Sequence, residues 1–392
     1  MLIHRIPYPP NKGDKIRSYH LLKHLSQHYK VHLATFVDDP DDWQHVPTVE
    51  AMCTTSHFVK LSPLGGRVRS LGALLGGRSL SFDYYKDAGM QAWVDQAMDS
   101  HAIDRVLVFS SPMAQYAETY PEARRVVDFC DVDSDKWRQY AEKKSWPMSW
   151  VYRHEADALL AYERHVAKTC DASLFVSAPE ADLFRTLAPE SDARIGFFNN
   201  GVDTDYFSPA REYTRPYAEG ERALVFTGAM DYWPNIDAVQ WFAAEIFPQL
   251  YAANPNLRFV IVGARPSPAV TALGQQAGVI VTGTVPDVRP YIAHAEVCVA
   301  PLRIARGIQN KVLEAMAMAR PMVVSPQALE GIDAEPGTEL LLADGASAFG
   351  AALAALLSAP NASLGDCARA KVQKEYSWPS KLARIEERLE CS

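Results

Sequence analysis

Cysteine is scarce in this 392-residue sequence. Its six cysteines are widely separated, at Cys53, Cys130, Cys170, Cys298, Cys367 and Cys391. No two of them have CxxC or metal-type spacing, which excludes a disulfide-stapled scaffold and a cysteine-based zinc site. We therefore expect reduced thiols and a cytoplasmic protein.

Long apolar runs and an excess of basic residues are also missing. No run approaches the roughly 20 apolar residues that span a bilayer, and prolines and charges interrupt the first residues before a signal-peptide core can form. Lys and Arg total 39 against 47 Asp and Glu, a formal net charge of −8, which argues against nucleic acid as a partner. The composition present, 48% hydrophobic and 22% charged, is typical of a globular protein long enough for two domains.

Short runs rich in Val, Ile and Phe alternate with longer segments of helical periodicity, which predicts β-α units and parallel sheets. The predicted strands are 30–36, 57–61, 105–110, 126–130, 172–176, 195–199, 224–228, 259–263, 279–283, 297–302, 322–325 and 339–342. Three of them end in Gly228, Gly263 and Gly283. Glycine at the carboxyl edge of a parallel sheet lets a ligand approach the backbone, and open α/β sheets bind ligands at that edge.

A polar stretch over 208–220, with prolines at 209 and 216, separates the two strand series and predicts an interdomain linker. We expect an α/β protein with two Rossmann-like domains facing each other across a cleft, over 1–208 and 209–375. The last residues, 376–392, predict a helix from 379 to 390 that packs back near the N-terminal domain.

The segment 297–325 carries the clearest candidate site. It predicts a strand, a loop with Gly307, a helix from about Gln309 to Ala319, and another strand. The free N–H groups of the helix start would suit a diphosphate, and they belong to Gly307, Ile308, Gln309 and Asn310. Lys311 lies in the first turn, where a cation is unfavourable to the helix dipole, and Glu314 lies one turn further on the same face. A phosphate-binding lysine and a carboxylate that accepts ribose hydroxyls would explain the pair; an exposed Lys–Glu helix pair is the open alternative.

Two groups of residues have some of the spacing of metal ligands, but neither predicts a metal site. His20, His24 and His28 recur along one helical stripe, but no Glu or third ligand accompanies them in the sequence, so a polar helix face is favoured. The alternating acidic residues of 131–135 favour a solvated turn, because calcium loops need more oxygen ligands and a glycine turn. We expect no metal and no cofactor.

The segment 297–325, the stretch 199–209 and the stretch 283–291 together resemble the family-four retaining glycosyltransferases with the GT-B fold, in order over nearly the whole chain. The stretches 4–17 and 127–137 resemble a narrower group, the sugar transferases associated with exosortase (PEP-CTERM) and exopolysaccharide loci. The resemblance implies a nucleoside diphosphate sugar donor in the C-terminal domain. Glu314 matches the second glutamate of the family's E-x7-E signature, Gly283 and Val285 match the stretch that lines the base, and Gly228 matches the glycine near the diphosphate.

The sequence departs from the family at two places. Arg306 stands where the signature has its first glutamate, and the chain after Gly228 lacks the usual Arg and Lys that hold the pyrophosphate. We hypothesise that Arg303, Arg306 and Lys311 replace part of this lost positive charge, since a leaving diphosphate needs charge stabilisation.

The family's fold would place the loop before the first helix opposite the donor phosphates. Lys12, Gly13, Lys15 and Arg17 are therefore candidates to contact a donor or acceptor phosphate, and a solvated helix start is their alternative. Asn200 would lie in a cleft loop near the hinge. Asp128, at the end of its strand, is a candidate to orient an acceptor hydroxyl or the donor sugar, with a strand-terminal cap as its alternative.

The stretch from Ala51 to Phe82 contains no acidic residue and mixes apolar side chains with basic ones, including Arg67, Arg69 and Arg78. It is a candidate patch for an anionic membrane surface, and a surface helix packed on the sheet is the alternative. The sequence thus predicts a cytoplasmic glycosyltransferase, peripheral at the inner membrane face if that patch binds, with a lipid-linked or other glycan acceptor. The alternatives are a non-catalytic nucleotide- or glycan-binding scaffold and, ranked below it, a nucleotide-sugar 2-epimerase.

Overall fold

The computed structural model describes residues 1–10, 12–62, 65–66, 70, 72–73, 76–142, 144–305 and 308–390. The chain divides into two units. One contains Met1–Asn200 and Lys381–Ser392, and the other contains Gly201–Ser380.

The first unit is built on a parallel seven-stranded sheet with the order β3-β2-β1-β4-β5-β6-β7. Its strands are β1 (Leu2–Ile3), β2 (His32–Val37), β3 (Thr55–Lys60), β4 (Arg105–Phe109), β5 (Arg124–Cys130), β6 (Ala172–Phe175) and β7 (Ile195–Phe197). Its helices are α1 (Gly13–His28), α2 (Val46–Glu50), α3 (Leu80–Tyr84), α4 (Ala88–His101), α5 (Asp133–Glu142), α6 (Met148–Thr169) and α7 (Ala178–Leu187). Within the described residues of this unit, 3₁₀ turns span Pro40–His45, Ser111–Tyr116 and Pro189–Arg194.

The second unit is built on a parallel six-stranded sheet with the order β10-β9-β8-β11-β12-β13. Its strands are β8 (Arg222–Thr227), β9 (Leu257–Val262), β10 (Val279–Gly283), β11 (Val297–Ala300), β12 (Met322–Val324) and β13 (Leu341–Leu342). Its helices are α8 (Trp233–Trp241), which continues through a π turn (Phe242–Ile246), α9 (Phe247–Ala253), α10 (Pro268–Leu273), α11 (Arg289–Ala293), α12 (Asn310–Ala317), α13 (Pro326–Leu329), α14 (Gly345–Ser358) and α15 (Ala362–Glu375). The last helix, α16 (Trp378–Glu390), begins in this unit and ends in the first.

The predicted strands are confirmed, with ends shifted by up to two residues. They are readily predicted because buried parallel strands read as short runs of β-branched and aromatic residues. Some helix starts are fixed locally by side-chain caps: Asp87 accepts a hydrogen bond from the Met90 N–H at 2.9 Å, and Ser177 caps α7.

The first segment of the first unit ends at Asn200, eight residues before the domain boundary predicted at 208. Val202 pairs with Ser377 in a β-bridge, and the Arg369 guanidinium donates to the Phe207 carbonyl at 3.1 Å. These contacts attach 201–208 to the second unit. The linker composition at 208–220 therefore marks a polar surface segment of that unit, which sequence composition alone does not distinguish from a hinge.

Candidate functional site

The strand order of the second sheet fixes where a ligand would bind. The chain leaves β8, builds β9 and β10 on one side, and then crosses to β11 on the other. Open α/β sheets bind ligands in the crevice outside the carboxyl ends of the strands where the order reverses. The loops that follow β8 and β11 flank this switch point.

Three residues meet at the switch point. Gly228 directly follows β8, and its N–H donates to the Val262 carbonyl at 3.0 Å. A Cβ at Gly228 would lie 2.7 Å from Nδ2 of Asn235 and 3.3 Å from Nζ of Lys311. Because glycine has no Cβ, the Asn235 and Lys311 side chains can approach the backbone at this position.

Lys311 is held by a polar contact and an aromatic ring. Its Nζ donates to Oδ1 of Asn235 at 2.5 Å and lies 4.5 Å from the centroid of the Phe226 ring. Asn235 is buried and donates in turn to the Ala229 carbonyl at 2.9 Å. Burial lowers the pKa of Lys311 to about 8, although the Glu314 carboxylate acts in the opposite direction. An anion at this point would restore full charge to the lysine.

Glu314 lies one helical turn after Lys311 on α12. Burial raises the pKa of Glu314 to about 7, opposed by the charge of Lys311. Both side chains are only partly accessible. The alternative of an exposed Lys–Glu helix pair is therefore wrong, because neither group is freely solvated.

The glycines at the strand ends pack closely. A Cβ at Gly263 would lie 1.6 Å from the Gly228 carbonyl oxygen, so the ends of β8 and β9 approach each other through bare backbone. Gly283 has φ +70° after a bulge in β10, a conformation that favours glycine. Val285 packs against the core of the unit.

The loop after β11 is described in part. Arg306 and Gly307, predicted to take part in catalysis and donor binding, lie outside the described residues. Arg303 is half-exposed, and its Nε donates to Asp237 at 2.9 Å, so a diphosphate would have to displace that carboxylate. Gln309 is the N-cap residue of α12, which starts at the exposed Asn310. Ile308 faces Gly331, where a Cβ would lie 3.3 Å from its Cγ1.

Arg265, which follows β9, lies beside the site but was not predicted from the sequence. Its φ of +51° is unusual for a residue with a side chain, and its Nε donates to Asp231 at 2.5 Å. The Met230 N–H donates to the Ala264 carbonyl at 2.8 Å, which ties this loop to the loop after β8. The sequence signal that could have identified Arg265 is a basic residue two positions after the glycine at the end of a predicted strand.

In the first unit, Arg17, Asp128 and Asn200 come together. Arg17 donates to both carboxylate oxygens of Asp128, at 2.7 and 3.1 Å, and to Oδ1 of Asn200 at 2.8 Å. Its guanidinium lies 3.5 Å from the centroid of the Phe198 ring, and Asp128 is fully buried. Because it is fully buried and both of its oxygens accept hydrogen bonds from Arg17, the Asp128 carboxylate is not accessible to an acceptor hydroxyl in this structure.

The other residues predicted to bind phosphate at the start of α1 are either buried or exposed. Lys15 is buried and lies 2.5 Å from Asp42, so neither it nor Arg17 belongs to a solvated helix start. Lys12 and Gly13 are exposed. These last two keep the accessibility that a phosphate contact requires.

His4 was also missed. It follows β1, next to the switch point of the first sheet, and its ring stacks on Phe109 with centroids 5.7 Å apart. Nε2 of His4 lies 3.5 Å from the Asp14 carboxylate. Burial would raise the pKa of Asp14, but the hydrogen bond from His4 and the charge of Arg5 hold that pKa well below its usual range. Nδ1 of His4 is buried without a hydrogen-bond partner among the described residues.

The predicted membrane patch is described in part. Arg67 and Arg69 lie outside the described residues. The Arg78 side chain is 58% exposed and pairs with Asp83 at 2.8 Å. None of the described helices is by itself long and apolar enough to cross a bilayer. The consecutive helices α14 and α15 would together have the length and composition of a membrane span, but they are bent by 110° relative to each other.

Comparisons with known proteins agree with this architecture. Residues 221–359 match the family model described as Glycosyl transferases group 1. The fold resembles that of sucrose-phosphate synthase from Thermosynechococcus elongatus, with a TM-score of 0.61, 15% identity and coverage of 99% of this chain and 98% of that one. It resembles a Rickettsia africae glycosyltransferase, with a TM-score of 0.62, 12% identity and coverage of 100% and 99%.

A third similar structure is Anabaena HepE in complex with UDP, with a TM-score of 0.60, 14% identity and coverage of 100% and 99%. A search of curated proteins by sequence finds no significant match. The two parallel-sheet, Rossmann-like units thus have the GT-B fold of these glycosyltransferase structures. The family match lies within the second unit, so residues 221–359 form a domain of the type described as Glycosyl transferases group 1.

Proposed function

We propose that this chain is a retaining glycosyltransferase of family four that moves a sugar from a nucleoside diphosphate donor to a lipid-linked glycan in exopolysaccharide biosynthesis. The observation that carries the proposal is the convergence of Gly228, Asn235 and Lys311 at the switch point of the second sheet, with Glu314 one turn further on. The group 1 family match spans all four residues.

The chemistry of these groups suits a nucleoside diphosphate. The Lys311 ammonium and the first N–H groups of α12 would bind the diphosphate and stabilise the charge that develops on it as it leaves. The Glu314 carboxylate would accept hydrogen bonds from the ribose hydroxyls. Arg303 and Arg306 remain predicted additional cations, and Arg265 adds a third.

UDP is the first nucleotide to test. HepE from Anabaena has been solved with UDP and with UDP-glucose. The support for a uridine nucleotide here is the shared fold, and the base pocket near Gly283 and Val285 would determine the outcome.

The acceptor is proposed to bind at the carboxyl edge of the first sheet. His4 lies there beside the switch point, and Lys12 and Gly13 are exposed at the start of α1. Arg17, which Asp128 holds, would act through Asn200 and the Phe198 carbonyl, to which it donates hydrogen bonds.

We propose further that an aromatic tip on the first unit contacts an anionic membrane. Four large side chains are exposed at the α5–α6 connection, where Trp146 reaches 80%: Tyr140, Trp146, Met148 and Trp150. Exposed basic residues at 144 and 153 adjoin them, and Nε2 of His154 lies 3.3 Å from the Arg78 carbonyl, next to the predicted basic patch. Tryptophan and tyrosine favour membrane interfaces, and basic residues favour anionic lipid.

Vesicle co-sedimentation tests the membrane contact. The Trp146→Ala/Trp150→Ala variant should lose most binding to phosphatidylglycerol-containing vesicles, whereas Trp43→Ala, also on the first unit, should not. Equal binding of all three proteins would reject the aromatic tip as the contact.

Transfer itself is tested with labelled nucleotide sugars and lipid-linked glycan extracted from the source membranes. The wild type should transfer label with the donor's anomeric configuration retained, and Glu314→Ala should transfer roughly 10- to 150-fold less, as for loss of a charge-assisted contact of about 1.5–3 kcal/mol. Nucleotide binding without transfer to any acceptor would favour the non-catalytic scaffold, and inversion of the anomer would reject the retaining assignment.

A further inference from the structure

We propose that His24, His28 and Glu386 bind a divalent transition-metal ion, with Zn²⁺ the best fit, and that this ion fastens the C-terminal helix to α1. The three residues belong to the first unit. They are the one group of His, Cys, Asp and Glu side chains in the described part of the chain whose ligand atoms cluster closely enough for an ion.

The residues come from two helices. His24 and His28 are four apart on the last turns of α1, so they lie on one face, and Glu386 comes from α16. The sequence gives no hint of the carboxylate because it lies at the other end of the chain. The structure supplies the third ligand that the histidine pair lacks in sequence.

The distances fit a metal. Oε1 of Glu386 lies 3.1 Å from Nε2 of His24 and 3.8 Å from Nε2 of His28, and all three ligand atoms are within 4.8 Å of one another. Ligand atoms around tetrahedral zinc are about 3.4 Å apart, given metal–ligand bonds of about 2.0–2.2 Å. Small side-chain movements would therefore place one ion at bonding distance from all three.

The unpaired atoms in the cluster support a ligand. Nε2 of His24 and Oε1 of Glu386 are both buried and lie 3.1 Å apart as an ion-pair contact, but neither atom makes a well-aligned hydrogen bond among the described residues. Buried polar atoms are almost always paired, so two neighbouring exceptions call for an explanation. An ion bound between the two atoms would satisfy both.

The ligand set indicates which ion. Imidazole nitrogens with a carboxylate suit Zn²⁺ and related transition metals, whereas Mg²⁺ and Ca²⁺ prefer oxygen ligands alone. The His28 side chain is 52% exposed, so water can occupy the fourth position.

The position of the site indicates a structural role. In a β-α unit the helix returns from the carboxyl edge to the amino edge of the sheet, and His28 ends α1, next to β2. The site therefore lies away from the carboxyl edge where the acceptor is proposed to bind. Glu386 adjoins Leu382, Ile385 and Leu389, the buried face of α16, so the ion would reinforce an existing apolar interface.

The test uses the full, tag-free chain treated with chelator and titrated with Zn²⁺ alone. The wild type should bind one equivalent, its melting temperature should rise by several degrees, and amide exchange in α16 should slow. Co²⁺ should give the visible absorption of a four-coordinate complex. Glu386→Gln and His28→Gln should each weaken Zn²⁺ binding by more than about 100-fold, since even indirect partners of zinc sites cost 10–100-fold.

Glu387→Gln on the same helix and His165→Gln on α6 are matched controls, because both residues are exposed and outside the cluster. His28 is half-exposed, so its variant should fold and keeps the test valid if Glu386→Gln does not. No stoichiometric binding by the wild type, or binding unchanged in both cluster variants, would overturn the proposal.

Discussion

Nζ of Lys311 lies 2.5 Å from Oδ1 of Asn235, and the two side chains meet directly above Gly228. The contact joins the helix after β11 to the helix after β8. It therefore sets a cation across the switch point of the second sheet, where the proposed donor diphosphate would bind.

Replacing this cation should weaken nucleotide binding. Lys311→Met keeps the chain length and removes the charge, and a lost charge-assisted hydrogen bond costs about 1.5–3 kcal/mol, or roughly 10- to 150-fold in affinity. Calorimetric titration with UDP measures it. Lys374→Met, on an exposed surface of α15, is the control and should bind like the wild type.

The affinity for nucleotide should depend on pH through Lys311 and Glu314. Burial lowers the pKa of Lys311 to about 8 and raises that of Glu314 to about 7. Above pH 8 the free protein loses the ammonium that an anion needs, and below pH 7 it loses the carboxylate that accepts ribose hydroxyls. We expect the highest affinity between about pH 7 and 8.

Variants separate these two limbs from titration of the nucleotide itself. Lys311→Met should lack the decrease on the alkaline side, and Glu314→Gln should lack the decrease on the acid side. If both variants keep the wild-type pH profile, neither residue contacts the nucleotide.

A side chain at Gly263 should disrupt the site. The new Cβ of Gly263→Ala would overlap the Gly228 carbonyl oxygen, 1.6 Å away, so the end of β8 must move. We expect a lower melting temperature and loss of nucleotide binding. Gly350→Ala on α14 meets no atom within 4 Å and should instead stabilise by about 1 kcal/mol.

The buried pair of Arg17 and Asp128 should matter for stability of the first unit. Arg17→Met leaves a fully buried carboxylate without its partner, at a cost of about 3–5 kcal/mol. The double variant Arg17→Met/Asp128→Asn should recover part of this loss in a thermal melt. UDP affinity should be unchanged in both, because the donor site belongs to the other unit.

Arg164→Met provides the comparison, since Arg164 forms an exposed ion pair with Glu190 at 2.8 Å. Its melting temperature should stay close to that of the wild type. An equal effect at Arg17 and Arg164 would mean that burial of the Arg17 pair contributes nothing.

The Lys311–Glu314 pair and all strands except the two-residue β1, which was not among the predicted strands, were predictable because they depend on local signals. Buried parallel strands show as apolar runs, and residues three apart share a helix face. Long-range partners were not predictable. The sequence around Arg303 does not predict its contact with Asp237, and the sequence around His24 does not predict its contact with Glu386, because these contacts depend on how the elements pack.

Burial also changed how charged residues are interpreted. Lys15 and Arg17 look like a solvated helix start in sequence, yet both are buried with acidic partners, Asp42 and Asp128. A charged residue is usually exposed unless it is paired, and its partner here lies far away in sequence.

The central claim, a donor nucleotide at the switch point of the second sheet, is tested most directly by thermal stabilisation with UDP, GDP, ADP and TDP on wild type and Glu314→Ala. A nucleotide at roughly 100 times its dissociation constant adds about 2.7 kcal/mol of stability. We predict that one nucleotide, UDP first among them, stabilises the wild type and has little effect on the variant. No stabilisation by any nucleotide, or equal stabilisation of both proteins, would contradict the donor site described here.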